Sequence, residues 1–466
     1  MKSIAGALAM LMLAATAHAR DGDYVASFGN QGREQYGFEP DLDVVSSFAG
    51  FVDVLAQADG RLLVSATVAN SGSNDFGVLR LLPNGTLDTN FGDQGQAIVP
   101  FDLGGSLDDV PTSILRQPDG RIVLCGAAQG DPSAGGRDFA FLRLLPNGAL
   151  DTGFSGDGKA TVAFDLGASG DRDDEATRCL LQPDGKIVAI GDAMVDLSEA
   201  QRRMAVVRLN PDGSRDTTFN GNGTATVDFG ASFADSIGFG IELQPDGSLL
   251  LVGPAAGSGG SRWAIARLDD SGQLDLAFGN GGTVLFDPEV AGYAPSFALD
   301  LEVLEDGAFV VAGALEFVAT PGQLDYALYA FDPDGNPDPG FGNGGGIVVP
   351  FDLAGPMVDV PVEIARDASG RFVATGFVSS PTGSYSIGVA RFTPDGQLDP
   401  AFGIAGKQVV STAPPPSPDL GDQGTALTFT PDHGLLVASL ASSAGGTRAG
   451  LAKLAADGLF ANGFEP

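Results

Sequence analysis

Histidine, the side chain most often used as a general base near neutral pH, occurs only at His18 and His433 in this sequence of 466 residues. His18 lies in an N-terminal segment that we expect to be removed. A Ser-His-Asp triad, a Cys-His pair or a histidine-rich metal site would therefore depend on His433. That residue stands in a "PDHG" turn, where related turns of the chain carry Asp, and we interpret it as a turn residue.

Carboxylates are the one chemically useful group that the chain has in abundance, with 59 Asp and Glu residues. Two facing carboxyl groups would suffice for acid–base hydrolysis of the kind that glycosidases perform. The acidic residues that break the repeating pattern described below are Asp173, Asp174, Glu175, Glu302 and Glu363. Because acidic residues are so common here, this set assigns no catalytic residue and no cofactor-binding residue.

Oxygen ligands for a metal are clustered in "PNGALDTGFSGDG" (146–158) and "PDGSRDTTFNGNG" (211–223). Neither segment has the D-x-[DN]-x-[DN]-G spacing with a glutamate at the twelfth position, so neither is an EF-hand loop. Turns in which Asp or Asn binds its own backbone explain the same residues without a metal. We expect no cofactor, and Ca²⁺ is the alternative.

Cys125 and Cys179 are the only cysteines. The equivalent positions of other repeats hold small or aliphatic residues, such as Ser65 for Cys125 and Ile114 for Cys179. We therefore expect two buried, unlinked thiols, with a disulfide as the alternative that an exported protein would permit.

Three features recur along the chain every 59 to 65 residues. The first is a turn such as "PDGRIVL", with its glycine at Gly60, Gly120, Gly185, Gly247, Gly307, Gly370 and Gly434. The second is a turn glycine at Gly85, Gly148, Gly213, Gly272, Gly335, Gly396 and Gly458. The third is an aromatic residue at Phe28, Phe91, Phe154, Phe219, Phe278, Phe341, Phe402 and Phe464.

Each repeat contains four short apolar segments, and in the second they are 96–102, 112–117, 121–128 and 139–145. The third of these is apolar on consecutive residues, so both of its faces must be covered, as in stacked sheets. Almost no helix is expected. The sequence predicts an all-β fold, a seven-bladed β-propeller with four antiparallel strands per blade, formed by residues 20–466 as one domain. A β-solenoid is the rival architecture.

The recurring segment around Phe91, "LPNGTLDTNFGDQG" (82–95), is interpreted as the joint between neighbouring blades. A buried Phe anchors the crossing and glycine permits the turn. Eight such phenylalanines serve seven joints, and we expect Phe28 to occupy the last joint while Phe464 packs peripherally.

Two charged columns accompany the joints. Five residues before each turn glycine stand Arg80, Arg143, Arg208, Arg267, Ala330, Arg391 and Lys453. Three residues before the six phenylalanines from Phe91 to Phe402 stand Asp88, Asp151, Asp216, Asp275, Asp338 and Asp399. We expect Arg and Asp to pair at the joints, the alternative being separately solvated charges.

The segments "LQPDGKIVAIG" (181–191) and "VVRLNPDGSRDTTFNGNG" (206–223) resemble the delta-60 repeat family of bacterial exported proteins. The resemblance extends over residues 24–464. It implies a propeller-like repeat protein found on or outside bacterial cells, and it carries no catalytic residues to transfer.

The first 19 residues have one Lys, an apolar run and the ending Ala17-His18-Ala19, a pattern typical of a signal peptide. We expect export to the periplasm, the cell surface or the medium, without membrane insertion. The formal charge of −34 argues against nucleic acid as a partner. The sequence favours a noncatalytic, monomeric propeller that acts as a binding or structural scaffold for a protein or glycan. The alternative is a carboxylate hydrolase or lactonase, with Ca²⁺ in the central channel.

Overall fold

Each repeat folds into one four-stranded antiparallel sheet, and seven such sheets form the blades of a β-propeller. The computed structural model describes residues 20–38, 42–45, 52–70, 72–101, 103, 108–129, 136–164, 166, 173–196, 201–258, 260–351, 353, 358–379, 384–415, 421–443 and 446–456. The innermost strands of neighbouring sheets touch all the way round, including those of the last and first sheets, so the ring is closed. The predicted fold class is confirmed.

The strands alternate with short turns in the order that the repeats predict. The first half comprises β1 (Arg33–Tyr36), β2 (Asp53–Ala56), β3 (Leu62–Asn70), β4 (Ser73–Leu81), β5 (Gln96–Val99), β6 (Val110–Arg116), β7 (Ile122–Gln129), β8 (Arg137–Leu144), β9 (Lys159–Val162), β10 (Asp174–Leu181), β11 (Ile187–Asp196), β12 (Gln201–Leu209) and β13 (Thr224–Thr226). The second half comprises β14 (Asp235–Ser236), β15 (Gly240–Leu243), β16 (Leu249–Gly257), β17 (Gly260–Leu268), β18 (Thr283–Phe286), β19 (Tyr293–Val303), β20 (Phe309–Phe317), β21 (Leu324–Phe331), β22 (Gly346–Val349), β23 (Val360–Arg366), β24 (Phe372–Ser379), β25 (Tyr385–Phe392), β26 (Lys407–Val410), β27 (Asp422–Phe429), β28 (Gly434–Ser443) and β29 (Gly446–Ala455).

Helical structure within these ranges is limited to one short 3₁₀ turn, Ala231–Phe233. None of the described segments forms a helix with the length and apolar character needed to cross a membrane.

The first six blades run from an inner strand near the axis to an outer strand, beginning with β2-β3-β4-β5 and β6-β7-β8-β9. The strand Gln96–Val99 thus completes the first blade, so a blade begins one strand later than the repeat read from the sequence. The second strand of each blade is buried on both faces, as β7 shows, where only the final residue is partly exposed. We call the end of the ring with the "PDG" turns the lower face and the opposite end the upper face.

The seventh blade takes its outer strand from the other end of the chain, since β1 pairs with β29 in the order β1-β29-β28-β27. The chain start also supplies a turn. The Gly403 amide donates to the Asp21 carbonyl at 2.9 Å, just as the Gly92 amide donates to the Asn147 carbonyl at 2.7 Å in an internal joint. Residues Asp21 and Gly22 therefore lie where a following blade would place its own turn.

The joint phenylalanines are buried in every described blade. Gly85, which packs against the Phe28 ring, shows why a glycine stands beside such a ring. A Cβ at Gly85, whose φ is 85°, would lie about 3.1 Å from the Phe28 ring. Phe28 is 1% exposed and occupies the joint between the seventh and first blades, as expected. Phe464 lies outside the described residues.

The Arg–Asp pairing at the joints is confirmed. The Arg80 Nε atom donates to Asp88 at 2.9 Å, its Nη1 atom donates to the Pro146 carbonyl of the next blade at 2.6 Å, and its guanidinium stacks on Phe91. The same Nε–carboxylate contact, at 2.8 Å, joins four further pairs: Arg143–Asp151, Arg208–Asp216, Arg267–Asp275 and Arg391–Asp399. Each of these arginines ties its blade to the next.

Two positions depart from this joint. Where the column has Ala330, the partner Asp338 is exposed to solvent. Lys453 of the last blade binds Asp432 at 2.7 Å instead. The joint therefore forms without the arginine at these two positions. Phe341 of the Ala330 joint is still only 4% exposed.

The expectation of unlinked thiols is wrong, because Cys125 on β7 and Cys179 on β10 form a disulfide between the second and third blades. Their Cα atoms are 6.4 Å apart, within the range that a disulfide spans. Repeat columns compare equivalent positions of different blades. They do not show which column of one blade faces which column of its neighbour, so they missed this bond.

Candidate functional site in the central channel

The central channel is enclosed by the seven inner strands β2, β6, β10, β15, β19, β23 and β27. The repeats align one position of these strands, seven residues before the turn, and its occupants differ: Asp53, Ser113, Arg178, Gly240, Asp300, Glu363 and Ala426. Unlike the joints, this position combines acidic, basic and small residues. It is the irregular feature that sequence columns could have revealed.

Arg178 extends across the channel. Its Nη1 atom lies 3.3 Å from the Asp300 Oδ2 atom and 3.1 Å from the Glu363 Oε1 atom. Arg178 belongs to the third blade, whereas its partners belong to the fifth and sixth blades, so these ion pairs join blades that are not neighbours around the ring. The Arg178 side chain is 26% exposed and that of Asp300 is 3% exposed.

The carboxylates of this cluster also bind the next blade. At three places a channel carboxylate accepts the amide hydrogen of the following inner strand: Ile114 to Asp53 at 2.8 Å, Ile364 to Asp300 at 3.0 Å, and Leu427 to Glu363 at 2.6 Å. Hydrogen bonds from donors to charged acceptors are stronger than neutral ones, particularly where water is restricted. These side chains therefore hold the inner strands together.

Burial raises the pKa of every channel carboxyl group. The pKa of Glu363 rises to about 8, with Arg178 opposing the rise, and the pKa of Glu242 also rises to about 8, helped by the nearby charge of Asp300. Burial likewise raises the pKa of Glu302 to about 7. Some of these groups consequently carry a proton near neutral pH.

Arg178 stays charged throughout. Burial alone would lower its pKa, but the charges of Asp300, Glu363 and Asp53 outweigh burial, so the pKa of Arg178 is raised. The cluster thus combines a permanently charged arginine with carboxyl groups that are partly protonated and partly ionised near neutral pH. Such a set can exchange protons near neutral pH, which is what general acid–base chemistry requires.

Of the five acidic residues singled out in the sequence, Glu302 and Glu363 lie in this channel cluster. The other three, Asp173, Asp174 and Glu175, lie together at the upper end of the third blade and do not join it. The sequence reasoning missed Asp53, Arg178, Glu242 and Asp300.

Asp174 does not break the repeat pattern, contrary to expectation. It accepts hydrogen bonds from the amides of Phe164, at 2.8 Å, and Met194, at 3.1 Å. Asp109 and Asp359 make the equivalent bonds in the second and sixth blades. This aspartate is scaffold that ties the outer strand of one blade to the inner strand of the next.

Asp173 and Glu175 belong to a second, smaller set of charges. The Arg137 amide donates to the Asp173 carboxylate at 3.0 Å, and the Arg137 side chain is ion-paired with Glu175. Across the strand pair from Glu175 lies Asp192, whose pKa is raised by burial to about 8 and whose carboxylate is 3.3 Å from Arg202. The two arginines compensate these acids.

His433 is a turn residue, as predicted, but its position in the turn differs from the prediction. Asp432 takes the aspartate position, and His433 takes the place of glycine, with a φ of 59° and an amide that donates to the Thr430 carbonyl. A left-handed φ is uncommon for a residue with a side chain. Gly434 therefore lies after the turn, and His433 is the turn residue that has the left-handed φ.

The oxygen-rich segments 146–158 and 211–223 are turns and joints. The Asp212 Oδ1 atom accepts the Ser214 amide at 3.0 Å, and Asp216 accepts both the Thr218 amide and Arg208. In the part of the chain that the structure describes, no three Asp, Glu, His or Cys residues are grouped to hold a metal ion.

Five segments match the model of a family described as "Domain of unknown function (DUF5122) beta-propeller": residues 57–91, 117–154, 182–219, 244–278 and 368–402. Each segment ends at a joint phenylalanine. The match is consistent with a β-propeller repeat family. No curated protein matches the chain in sequence.

Solved structures similar to this chain include three with different titles. One is a protein of unknown function from Dyadobacter fermentans DSM 18053, 12% identical, with a TM-score of 0.44, covering 74% of this chain and 95% of that one. Another is polysaccharide lyase Uly1, 11% identical, with a TM-score of 0.47 and coverage of 95% and 98%. The third is Trypanosoma rangeli sialidase with the inhibitor DANA, 7% identical, with a TM-score of 0.40 and coverage of 91% and 60%. Likenesses at this level carry no activity over to this chain.

Proposed function

We propose that this protein is an exported, noncatalytic β-propeller that binds a protein or glycan partner through its upper face. One observation carries the proposal: the lower face repeats the same turn and joint, whereas the upper connections differ from blade to blade. The connection between Asn70 and Ser73 has two residues, and that between Phe317 and Leu324 has six. Binding residues are commonly found on variable loops held by a rigid scaffold.

Three channel carboxylates, Asp53, Asp300 and Glu363, support this proposal because each of them accepts a backbone amide of the ring itself. Asp300 and Glu363 each bind both Arg178 and a backbone amide of the next blade. A catalytic carboxylate must contact its substrate, whereas these two carboxylates already bind groups of the protein. We propose that the cluster links blades to one another across the axis of the ring.

Export is the second part of the proposal. The disulfide Cys125–Cys179 is typical of proteins that mature in an oxidising compartment. We propose that residues 1–19 are a signal peptide, that residues 20–466 are the mature domain, and that the repeats are of the delta-60 type. The periplasm, the cell surface and the medium are all compatible with this. The proposed molecule is a monomer without a cofactor, and its net charge disfavours nucleic acid.

The binding proposal is tested by locating the face that holds the partner. The mature chain would be screened against a glycan array and against purified surface proteins of its source cells. Two exposed apolar residues lie on opposite sides of the ring: Phe297, which is 41% exposed in the upper half of β19, and Leu276, which is 75% exposed in a lower joint. We expect Phe297→Ser to weaken binding at least about tenfold and Leu276→Ser to leave it unchanged. The reverse pattern would contradict the proposal.

A second candidate function is a hydrolase or lactonase that uses channel carboxylates, with Ca²⁺ as a possible partner. The observation in its favour is that Glu302 and Glu363, with pKa values raised to about 7 and about 8, lie in one channel. Incubation with ester, lactone and glycoside substrates, with and without Ca²⁺, tests it. Turnover that Glu363→Gln abolishes in a correctly folded protein would replace the binding proposal with this one.

A further inference from the structure

At the upper edge of several seams, the beginning of a blade's third strand lies close to residues that precede the next inner strand. At three seams a residue near the beginning of the third strand is hydrogen-bonded to an acidic residue of the next blade: Asn74 to Asp108, Arg137 to Asp173, and Arg202 to Asp235. In the last two pairs the backbone amide donates to the carboxylate at 3.0 and 3.1 Å. At a fourth seam the equivalent residues are Leu324 and Val358, and neither is acidic.

The seam between the sixth and seventh blades is built differently. The equivalent positions hold Tyr385 at the beginning of β25 and Gly421 immediately before β27. A cavity of about 210 Å³ lies at this edge. Its walls include Tyr385, Gly421, Gln423, Ser442 and Thr447. Gly421, which has no side chain, thus forms part of the wall where three other seams have an acid.

Several polar side chains line this cavity and have no hydrogen-bond partner among the described residues. The Tyr385 hydroxyl, the Gln423 amide and the hydroxyls of Ser442 and Thr447 make no side-chain hydrogen bond with any described residue. The Tyr385 ring is held in place by an edge-to-face contact with Phe377, with ring centroids 5.1 Å apart. The cavity thus presents a fixed aromatic surface beside uncommitted donors and acceptors.

The acidic residue in the wall, Asp422, is already engaged. One of its oxygens accepts the Thr412 amide at 3.0 Å, and the other accepts the Ser439 hydroxyl at 3.1 Å. The uncommitted groups of the wall are therefore all neutral. Among the described residues of the wall a cationic ligand would find no available carboxylate, and the chain's formal charge of −34 disfavours an anionic one.

We infer that this cavity is a subsite for one ring of a neutral sugar. The aromatic ring would pack against the apolar face of the sugar, while the amide and hydroxyl groups would exchange hydrogen bonds with its hydroxyls. This inference rests on the binding role proposed above and commits that role to a glycan.

Saturation-transfer NMR and calorimetry on the mature chain test the inference with glucose, galactose, mannose, N-acetylglucosamine and glucuronate at up to about 50 mM. We expect at least one neutral sugar to bind, and glucuronate to bind at least about tenfold more weakly than that sugar. Tyr385→Ala should weaken binding at least about tenfold, and Gln423→Ala about threefold or more.

Two further variants make the result decisive. Tyr385→Phe keeps the ring and should retain most of the affinity, which also covers the case in which Tyr385→Ala does not fold. Gln408→Ala removes a glutamine from the outer strand of the same blade and should change nothing. Absence of binding by every neutral sugar, or full affinity in Tyr385→Ala, overturns the inference. If a partner is still lost in Phe297→Ser while the cavity variants bind it normally, the upper-face proposal stands and the sugar subsite falls.

Discussion

The ionisation of Glu242 should make the propeller less stable as the pH rises. This side chain lies half-buried in the channel on β15, close to the like charges of Asp300 and Glu302. Burial and these neighbours raise its pKa from 4.5 to about 8. The folded protein therefore holds this proton more tightly than the unfolded chain does. The resulting stabilisation is fully present below about pH 4.5 and is lost as the pH rises through about 8.

The size of the effect follows from the raised pKa. A rise from 4.5 to about 8 corresponds to about 5 kcal/mol at most. Glu242 is partly exposed, and channel water and Arg178 can accommodate part of its charge, so about 1–2 kcal/mol is expected. Glu242→Gln removes the ionisation and keeps the shape. The variant should match the parent protein near pH 4.5 and exceed its stability by this amount near pH 9.

Urea unfolding at several pH values, with the disulfide intact, measures the difference. The matched control is Glu289→Gln, which removes an exposed glutamate and should give a curve parallel to that of the parent protein. The free energy of unfolding of Glu242→Gln could instead run parallel to that of the parent protein, or fall further below it as the pH rises. Either result would mean that burial does not raise the pKa of this carboxyl group. The account of the channel would then be wrong.

Three further predictions concern ring closure, and urea unfolding measures each. Arg178→Met should lower the free energy of unfolding by about 3 kcal/mol near pH 7.5 and by much less near pH 4.5, because protonation of the facing carboxyl groups relieves their repulsion. An equal loss at both pH values would contradict this. Ala330→Arg should restore the pair with Asp338 and be about 0.5–1 kcal/mol more stable than Ala330→Met, which supplies length without charge; equal stability of the two would show that the pair contributes nothing there. Cys179→Ala should cost about 4 kcal/mol through loss of the bridge to Cys125, given the separation of 54 residues, and parent protein unfolded under reducing conditions should show a similar loss.

Much of the fold is predictable because each repeated feature acts locally. The "PDG" turns, the buried strands and the joint phenylalanines recur at the same spacing, so each repeat specifies the same sheet and the same crossing. The Arg–Asp pairs are predictable for the same reason, since Arg80 and Asp88 are only eight residues apart. Even the departure at Ala330 was visible in the sequence.

The candidate site was predictable only in part. Glu302 and Glu363 stood out as irregular acids, but nothing in their spacing shows that Arg178 reaches them. Arg178 and Glu363 are separated by 185 residues. Asp174 stood out in the same way and proved to be scaffold. Asp109, Asp174 and Asp359 each stand eleven residues before a turn glycine, a column that the sequence reasoning did not compare.

The sequence by itself therefore determined the number of blades, their strands and the joint between them, because these depend on contacts within a repeat or between successive repeats. Only the tertiary structure decided which residues meet across the axis, that Cys125 faces Cys179, and where a cavity lies between two blades. The physical reason is closure. Curving seven sheets into a ring brings together side chains that are far apart in the chain, and a repeat pattern carries no information about such pairs.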